Sequence, residues 1–211
     1  MRRSRPCHDH AVPAVVRPVA DERDALLTFL AQERYVLRLS AYGLTEEQVR
    51  LRSTASDLSI GSLLEHVTTV ERSWATALGG QDPEREPRPA SLVPLPPGDS
   101  VSTLLQNYDD ATAATDAVVS TIADLARPVP VPPGARWAPR DVTSWSVRWV
   151  LLHLIHETAR HAGHADIIRE SIDGATAFPL MSAAEGWEPR RTIRPWRPDA
   201  QTAREETPCD E

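Results

Sequence analysis

The chain has no lysine: all 23 of its basic residues are arginine, so Schiff-base chemistry on a lysine is excluded. With 30 acidic residues the formal net charge is -7, which argues against nucleic acid as the main partner. No apolar run approaches the roughly 18 residues of a membrane span, and the basic start is not followed by the apolar stretch of a signal peptide. We therefore expect a cytoplasmic protein that does not enter a membrane.

Cysteine is also scarce. The two cysteines, Cys7 and Cys209, lie near opposite ends of the chain, so we do not expect a disulfide framework. The remaining composition is that of an ordinary soluble globular chain, with 41% hydrophobic and 25% charged residues. A length of 211 residues favours one domain.

Proline marks the breaks between helices. The 19 prolines cluster at 83–97 and 128–139, and proline is costly inside a helix. Four segments have apolar residues spaced three and four apart, which predicts helices at about 21–42, 59–78, 100–125 and 144–172. No segment shows the alternation of a strand. The pattern therefore predicts an all-α fold, a four-helix bundle with long proline-rich loops, one of which can carry a crossover.

Local signals refine the helix ends and the outer segments. Ser59 is expected to cap the second helix, and Thr45–Gln48 has the residues of a short capped turn. We expect three parts: an extended or disordered segment 1–20, the bundle 21–174, and an irregular tail 175–211 whose end is disordered. The aromatic residues of the tail are expected to pack on the bundle, although an aromatic lid over a pocket is the alternative: Phe178, Trp187 and Trp196.

Four of the seven histidines fall within twelve residues of the last predicted helix. At about 100° per residue, His153, Glu157, His161 and His164 share a sector of roughly 80°. Apolar residues point in the same direction, so this sector is predicted to be buried. His156 points elsewhere and is predicted to lie at the surface.

Buried imidazoles and a buried carboxylate are costly unless they are paired or bind a metal. Glu157 and His161 are four residues apart, so both can reach one ion. His66 lies on the apolar stripe of the second helix and is a third candidate ligand, because bundles build metal sites from facing helices. For His66 alone, a hydrogen-bonded core histidine is the alternative. The residues by themselves leave open whether the cluster binds a metal.

Two segments resemble the DinB-like superfamily: Ser62–Val67 in the second helix and Leu151–Asp166 in the fourth. More narrowly, the chain is similar to the actinobacterial branch related to mycothiol-dependent maleylpyruvate isomerase. The resemblance covers about 21–174. It implies a DinB-like bundle with an up-down-down-up course. The tail after Gly174 does not resemble the additional C-terminal domain of that isomerase.

The resemblance also implies a divalent metal, commonly zinc, held by His66, Glu157 and His161. Many relatives have histidine where Glu157 stands, and the glutamate is similar to the mycothiol-using isomerase. Two imidazoles and a carboxylate suit nickel, iron or manganese as well. His164 falls where other members often have glutamine, which implies contact with the substrate or with a metal ligand.

Three protein ligands leave an open position on the metal, as in catalytic sites, where a bound thiol would ionise at neutral pH. We therefore predict a metal-dependent thiol S-transferase in which a low-molecular-weight thiol of the mycothiol type attacks a small electrophile. His164 or His153 would orient the substrate or move a proton, with His164 favoured. Arg160 and Arg169 would hold an anionic group, with surface salt bridges as the alternative.

Two other functions fit the same residues. A metal-dependent hydrolase would use a bound water as the nucleophile. A non-catalytic metal-binding DinB-like protein would keep the bundle and the ion without turnover. A homodimer through exposed helix faces is compatible with all three functions.

Overall fold

The computed structural model describes residues 15–81, 95, 98, 100–131 and 138–198, and these form a mainly helical structure. The four long helices are α1 (Glu22–Leu39), α2 (Ile60–Leu78), α3 (Val101–Ser120) and α4 (Val147–Asp173). The prediction of a mainly helical chain is confirmed. Cys7 and Cys209 lie outside the described residues. The two ends predicted to be disordered also lie outside them, except for residues 15–20 of the first segment. No helix of the described part is long and apolar enough to cross a membrane.

Side-chain caps determine where the long helices begin. Asp21, Ser59, Ser100 and Ser146 each accept a hydrogen bond from the backbone N–H three residues later, which satisfies a donor of the first turn. The prediction that Ser59 caps α2 is confirmed. The capped turn at Thr45–Gln48 is confirmed too, because the two residues bond each other reciprocally before a short 3-10 turn, Gln48–Arg50.

Two buried apolar clusters give the directions of the helices. One contains the beginnings of α1 and α4 together with the ends of α2 and α3. The other contains the ends of α1 and α4 together with the beginnings of α2 and α3. It follows that α1 and α4 run in one direction and α2 and α3 in the other. This arrangement places α2 antiparallel to α4, with the two helices in contact.

A small antiparallel sheet corrects the prediction that no strand is present. Strands β1 (Pro128–Pro130) and β2 (Ser144–Ser146) pair with Val129 opposite Trp145. Three residues are too few to show an alternating pattern, and two-stranded sheets have only edge strands, which tolerate proline. Because β2 takes residues 144–146, α4 begins at Val147 and is capped by Ser146 rather than beginning near Ser144.

The tail is more regular than predicted. Residues Ala177–Ala184 form a fifth helix, α5, in which Pro179 occupies the first turn, where proline is tolerated. Trp187 and Trp196 pack against a cluster that includes Leu39 of α1, as predicted. Phe178 does not, because 53% of it is exposed, so its predicted packing on the helices is wrong.

Candidate metal centre

Helix α4 places three polar residues of the candidate site along one edge. It runs for 27 residues from Val147 to Asp173 and ends at Gly174, whose φ of 68° is the left-handed conformation that glycine adopts readily. His153, Glu157 and His161 follow one another at four-residue spacing, so they form a single stripe along the helix. All three are half-buried. The predicted burial of this sector is therefore only partly right: the stripe lies between the buried face and the exposed face.

The antiparallel packing of α2 brings His66 to the middle of this stripe. His66 is buried, at 6% exposure, and its Nε2 lies 3.0 Å from Oε1 of Glu157. The same carboxylate oxygen is 3.3 Å from Nε2 of His161. The rings of His66 and His161 are edge to face, with centroids 4.7 Å apart. The structure thus brings together the three residues that the sequence singled out, although 91 positions separate His66 from Glu157.

The donor set fits a divalent cation. One ligand atom from each of His66, Glu157 and His161 lies within 4.8 Å of the others, with two imidazole nitrogens and one carboxylate oxygen. Nitrogen and oxygen ligands of this kind bind zinc at about 2.0–2.2 Å, and three of them leave a coordination position open. An ion at this point would contact all three atoms after small side-chain movements.

Electrostatics keep the carboxylate ionised. Hydrogen bonds from His161 and His66 hold the pKa of Glu157 far below its usual range, against the opposing effect of burial. A carboxylate that stays ionised at every physiological pH is available both to a protonated imidazole and to a metal. Without an ion, the three side chains therefore form a hydrogen-bonded cluster, and their potential metal-ligand atoms already lie close together.

His164 contacts the donor set from outside. Its Nδ1 lies 3.4 Å from Nδ1 of His161, and the two rings are tilted against each other. Without an ion, the hydrogen on Nε2 of His161 is donated to Glu157. When Nε2 binds a metal, a neutral His161 carries its hydrogen on Nδ1, from which it can be donated to Nδ1 of His164. Burial, followed by the nearby His161 and Arg160, lowers the pKa of His164.

His153 lies one turn before Glu157 and is held by two tryptophans. Its ring stacks on Trp149 with centroids 5.0 Å apart and planes 5° apart, and it meets Trp74 edge to face at 5.5 Å. Burial lowers its pKa, partly opposed by the charge of Glu157. Sequence reasoning did not assign Trp149 or Trp74 to the site. The spacing of four between Trp149 and His153 was the available signal, whereas nothing local pointed to Trp74.

The two arginines predicted to hold an anionic group occupy different surroundings. Arg160 is exposed and lies near enough to His164 to affect its pKa. Arg169 is fully buried: it donates to the carbonyls of Ser40 and Tyr42, and it pairs with Asp173 at 2.8 Å. The predictions of a substrate contact or a surface salt bridge for Arg169 are both corrected, because its guanidinium joins α1 to the end of α4 inside the protein.

Two cavities lined by described residues lie elsewhere. One, of about 400 Å³, is beside Tyr42 and Leu105, and one of about 760 Å³ lies between the end of α4 and the tail, beside Arg191 and Trp196. Neither is lined by His66, Glu157 or His161. The site is therefore identified by its converging donor atoms and not by either of these volumes.

Comparison with known proteins supports the resemblance. The family model described as mycothiol-S-transferase matches residues 25–174, which include α2, α3, α4 and most of α1. Among solved structures, the crystal structure of the conserved protein of locus from Enterococcus faecalis is similar, with a TM-score of 0.57 and 14% identity over 74% of this chain and 100% of that chain. At this identity the likeness concerns the fold alone. The comparison with curated proteins gave no match.

Proposed function

We propose the function from one premise: the chain belongs to the mycothiol-S-transferase family, a DinB-like family, over residues 25–174. On that basis it is a metal-dependent enzyme that transfers a low-molecular-weight thiol of the mycothiol type to a small electrophile. The observation that carries the proposal is the convergence of His66, Glu157 and His161 between α2 and α4. The directions of α1–α4 support the further proposal of a DinB-like four-helix bundle with an up-down-down-up course.

His66, Glu157 and His161 would hold the metal, for which we propose zinc, while nickel, iron and manganese accept the same donors. When bound, such an ion lowers the pKa of a coordinating thiol so that the thiolate prevails near neutral pH. Glu157 contributes a negative charge that reduces the net charge of the site. Without an ion, the Nε2 atoms of His66 and His161 lie 3.0 and 3.3 Å from its Oε1 and hold the carboxylate in place.

The transfer requires one bond to form and one proton to move. The thiol gives up its proton, and the sulfur electron pair forms a bond to the electrophilic carbon. At a saturated or aryl carbon, the leaving group departs with its bonding pair. At an activated double bond, the displaced pair takes up a proton. Both courses need a residue that can accept the thiol proton, and addition to a double bond also needs a proton to be given back to the substrate.

We assign these roles to His153 and His164. His153 is half-buried beside Glu157, and burial favours its neutral form, which is the form that accepts a proton. His164 contacts His161 directly, so we propose that it orients that ligand, although sequence reasoning favoured it for the proton. Arg160, exposed near His164, is proposed to attract an anionic group of the thiol or the acceptor.

Metal content tests the site first. Purified wild type should contain about one equivalent of metal, as three protein ligands hold an ion firmly. The His66→Ala variant should contain little. The His156→Ala variant is the matched control, because it removes an exposed histidine next to Glu157 and should keep the metal. Absence of metal from the wild type, even after reconstitution, would contradict the proposal.

A thiol panel with an electrophilic test substrate then tests the reaction. Turnover that requires an added thiol supports the transferase. Turnover without a thiol means that water is the nucleophile, so the protein would be a metal-dependent hydrolase. Retained metal without turnover across a broad panel would indicate a non-catalytic metal-binding protein.

A further inference from the structure

Three flat rings form a stack that leads to the metal centre. Trp145, Trp149 and His153 are four residues apart. Trp145 and Trp149 stack with centroids 4.5 Å apart and planes 13° apart, and Trp149 and His153 stack at 5.0 Å and 5°. The next position at this spacing is Glu157. The stack begins at Trp145 of β2 and continues on α4, where Trp149, His153 and Glu157 follow at four-residue spacing.

One face of the His153 ring is not covered by this stack. Trp149 precedes His153 by one turn, so the face that it covers looks back along α4. The opposite face must then look forward, towards the turn that carries Glu157. Among the residues that the structure describes, the rings in contact with His153 are those of Trp149 and Trp74, and Trp74 meets it edge to face.

Trp74 packs against all three rings of the stack. It is 5% exposed, and its ring meets Trp145, Trp149 and His153 edge to face with centroids 5.5–5.8 Å away. The three stacked residues themselves are half-buried, which places them at the boundary between core and solvent. Contacts on one face and at the edge of the His153 ring restrict its orientation and leave its other face outside the stack.

We infer that this face of His153 binds the acceptor, and that the acceptor is a flat conjugated electrophile such as an activated arene or an α,β-unsaturated carbonyl compound. A conjugated system stacked on this face would lie beside Glu157, one turn further along α4. A saturated acceptor of similar size lacks the π system that makes offset stacking favourable. The inference rests on the proposed function for the role of the bound molecule, since it names the substrate class of that reaction.

Binding of a non-reactive probe tests the inference without turnover. The probe is 1,3-dinitrobenzene, which is flat and uncharged and whose nitro groups, being meta to each other, do not activate one another for displacement by a thiol. Its binding is followed by quenching of tryptophan fluorescence, in protein with and without zinc. We expect the His153→Ala variant to bind it about threefold to tenfold more weakly than wild type, the range of one lost stacking contact.

Two further variants separate stacking from other roles. His153→Phe keeps a flat ring but has no nitrogen, so we expect it to bind the probe nearly as well as wild type. Phe178→Ala removes an exposed ring on α5 and is the control, with no expected change. Nitrocyclohexane, a saturated ring, should bind more weakly than the probe.

The results that would overturn the inference are specific. They are equal binding by wild type and His153→Ala, or binding by His153→Phe as weak as that by His153→Ala, or equal binding of the flat and the saturated ring. Because no thiol takes part, probe binding that depends on His153 can be observed even if the thiol panel shows no transfer. Failure of the proposed function is thereby distinguished from failure of this inference.

Discussion

Replacing His161 with alanine should remove most of the stabilisation that zinc gives to the wild type. The three donor atoms lie within 4.8 Å of one another before any ion binds, so little rearrangement accompanies binding. Zinc at about a thousand times its dissociation constant should stabilise the folded protein by about 4 kcal/mol. For a chain of this length, each kcal/mol of stabilisation raises Tm by about 2–4 °C, so the expected rise in Tm is about 8–16 °C.

The His161→Ala variant keeps only His66 and Glu157, and two ligands hold a divalent ion weakly. We expect its Tm to rise by less than about a quarter of the wild-type shift at the same zinc concentration. Differential scanning calorimetry with matched metal analysis provides the measurement. His156→Ala is the control, since it makes the same substitution at an exposed position on the same helix. A variant at His161 that binds and responds to zinc as fully as this control would refute the assigned ligand set.

Two other predictions concern stability without metal. Glu71→Ala should lower the free energy of unfolding by about 3–5 kcal/mol, because Arg34 would lose its buried partner at 2.7 Å. Asp109→Ala, which removes the exposed partner of Arg38, should lower it by less than about 1 kcal/mol. Equal losses of the two variants in urea denaturation would contradict this. With a chelator present to remove metal, the stability of wild type relative to His153→Phe should fall as the pH drops below 6.5. Burial lowers the folded-state pKa of His153, so the unfolded chain takes up the proton first. A difference in Tm between the two proteins that stays constant from pH 7.5 to 5.5 would contradict this.

Much of the helical architecture was readable locally. Helix ends are set by caps and breakers within a few residues, so Ser59 and Gly174 marked a beginning and an end correctly. The strands at 128–130 and 144–146 were missed because each is held by a partner that no local pattern reveals. Helix α5 was missed for a related reason: it has only eight residues, contains a proline, and packs through Leu180 and Met181 against Leu39.

The candidate site was predictable to the extent that it follows helix periodicity. The spacing of Glu157 and His161 is a property of one helix, and so is their shared stripe. The role of Arg169 was not predictable, because its hydrogen-bond partners Ser40 and Tyr42 lie 129 and 127 positions away. An arginine near the end of a helix has the same local pattern whether it meets water or buried carbonyl groups.

The sequence by itself determined the four long helices and the line of polar residues on α4, since a 3.6-residue repeat and capping residues act over one or two turns. Only the tertiary structure decided which residues face that line. The register of α2 against α4 placed His66 on Glu157 and Trp74 against His153. That register depends on the packing of whole helices around two apolar clusters, a property of the folded chain that no local segment contains.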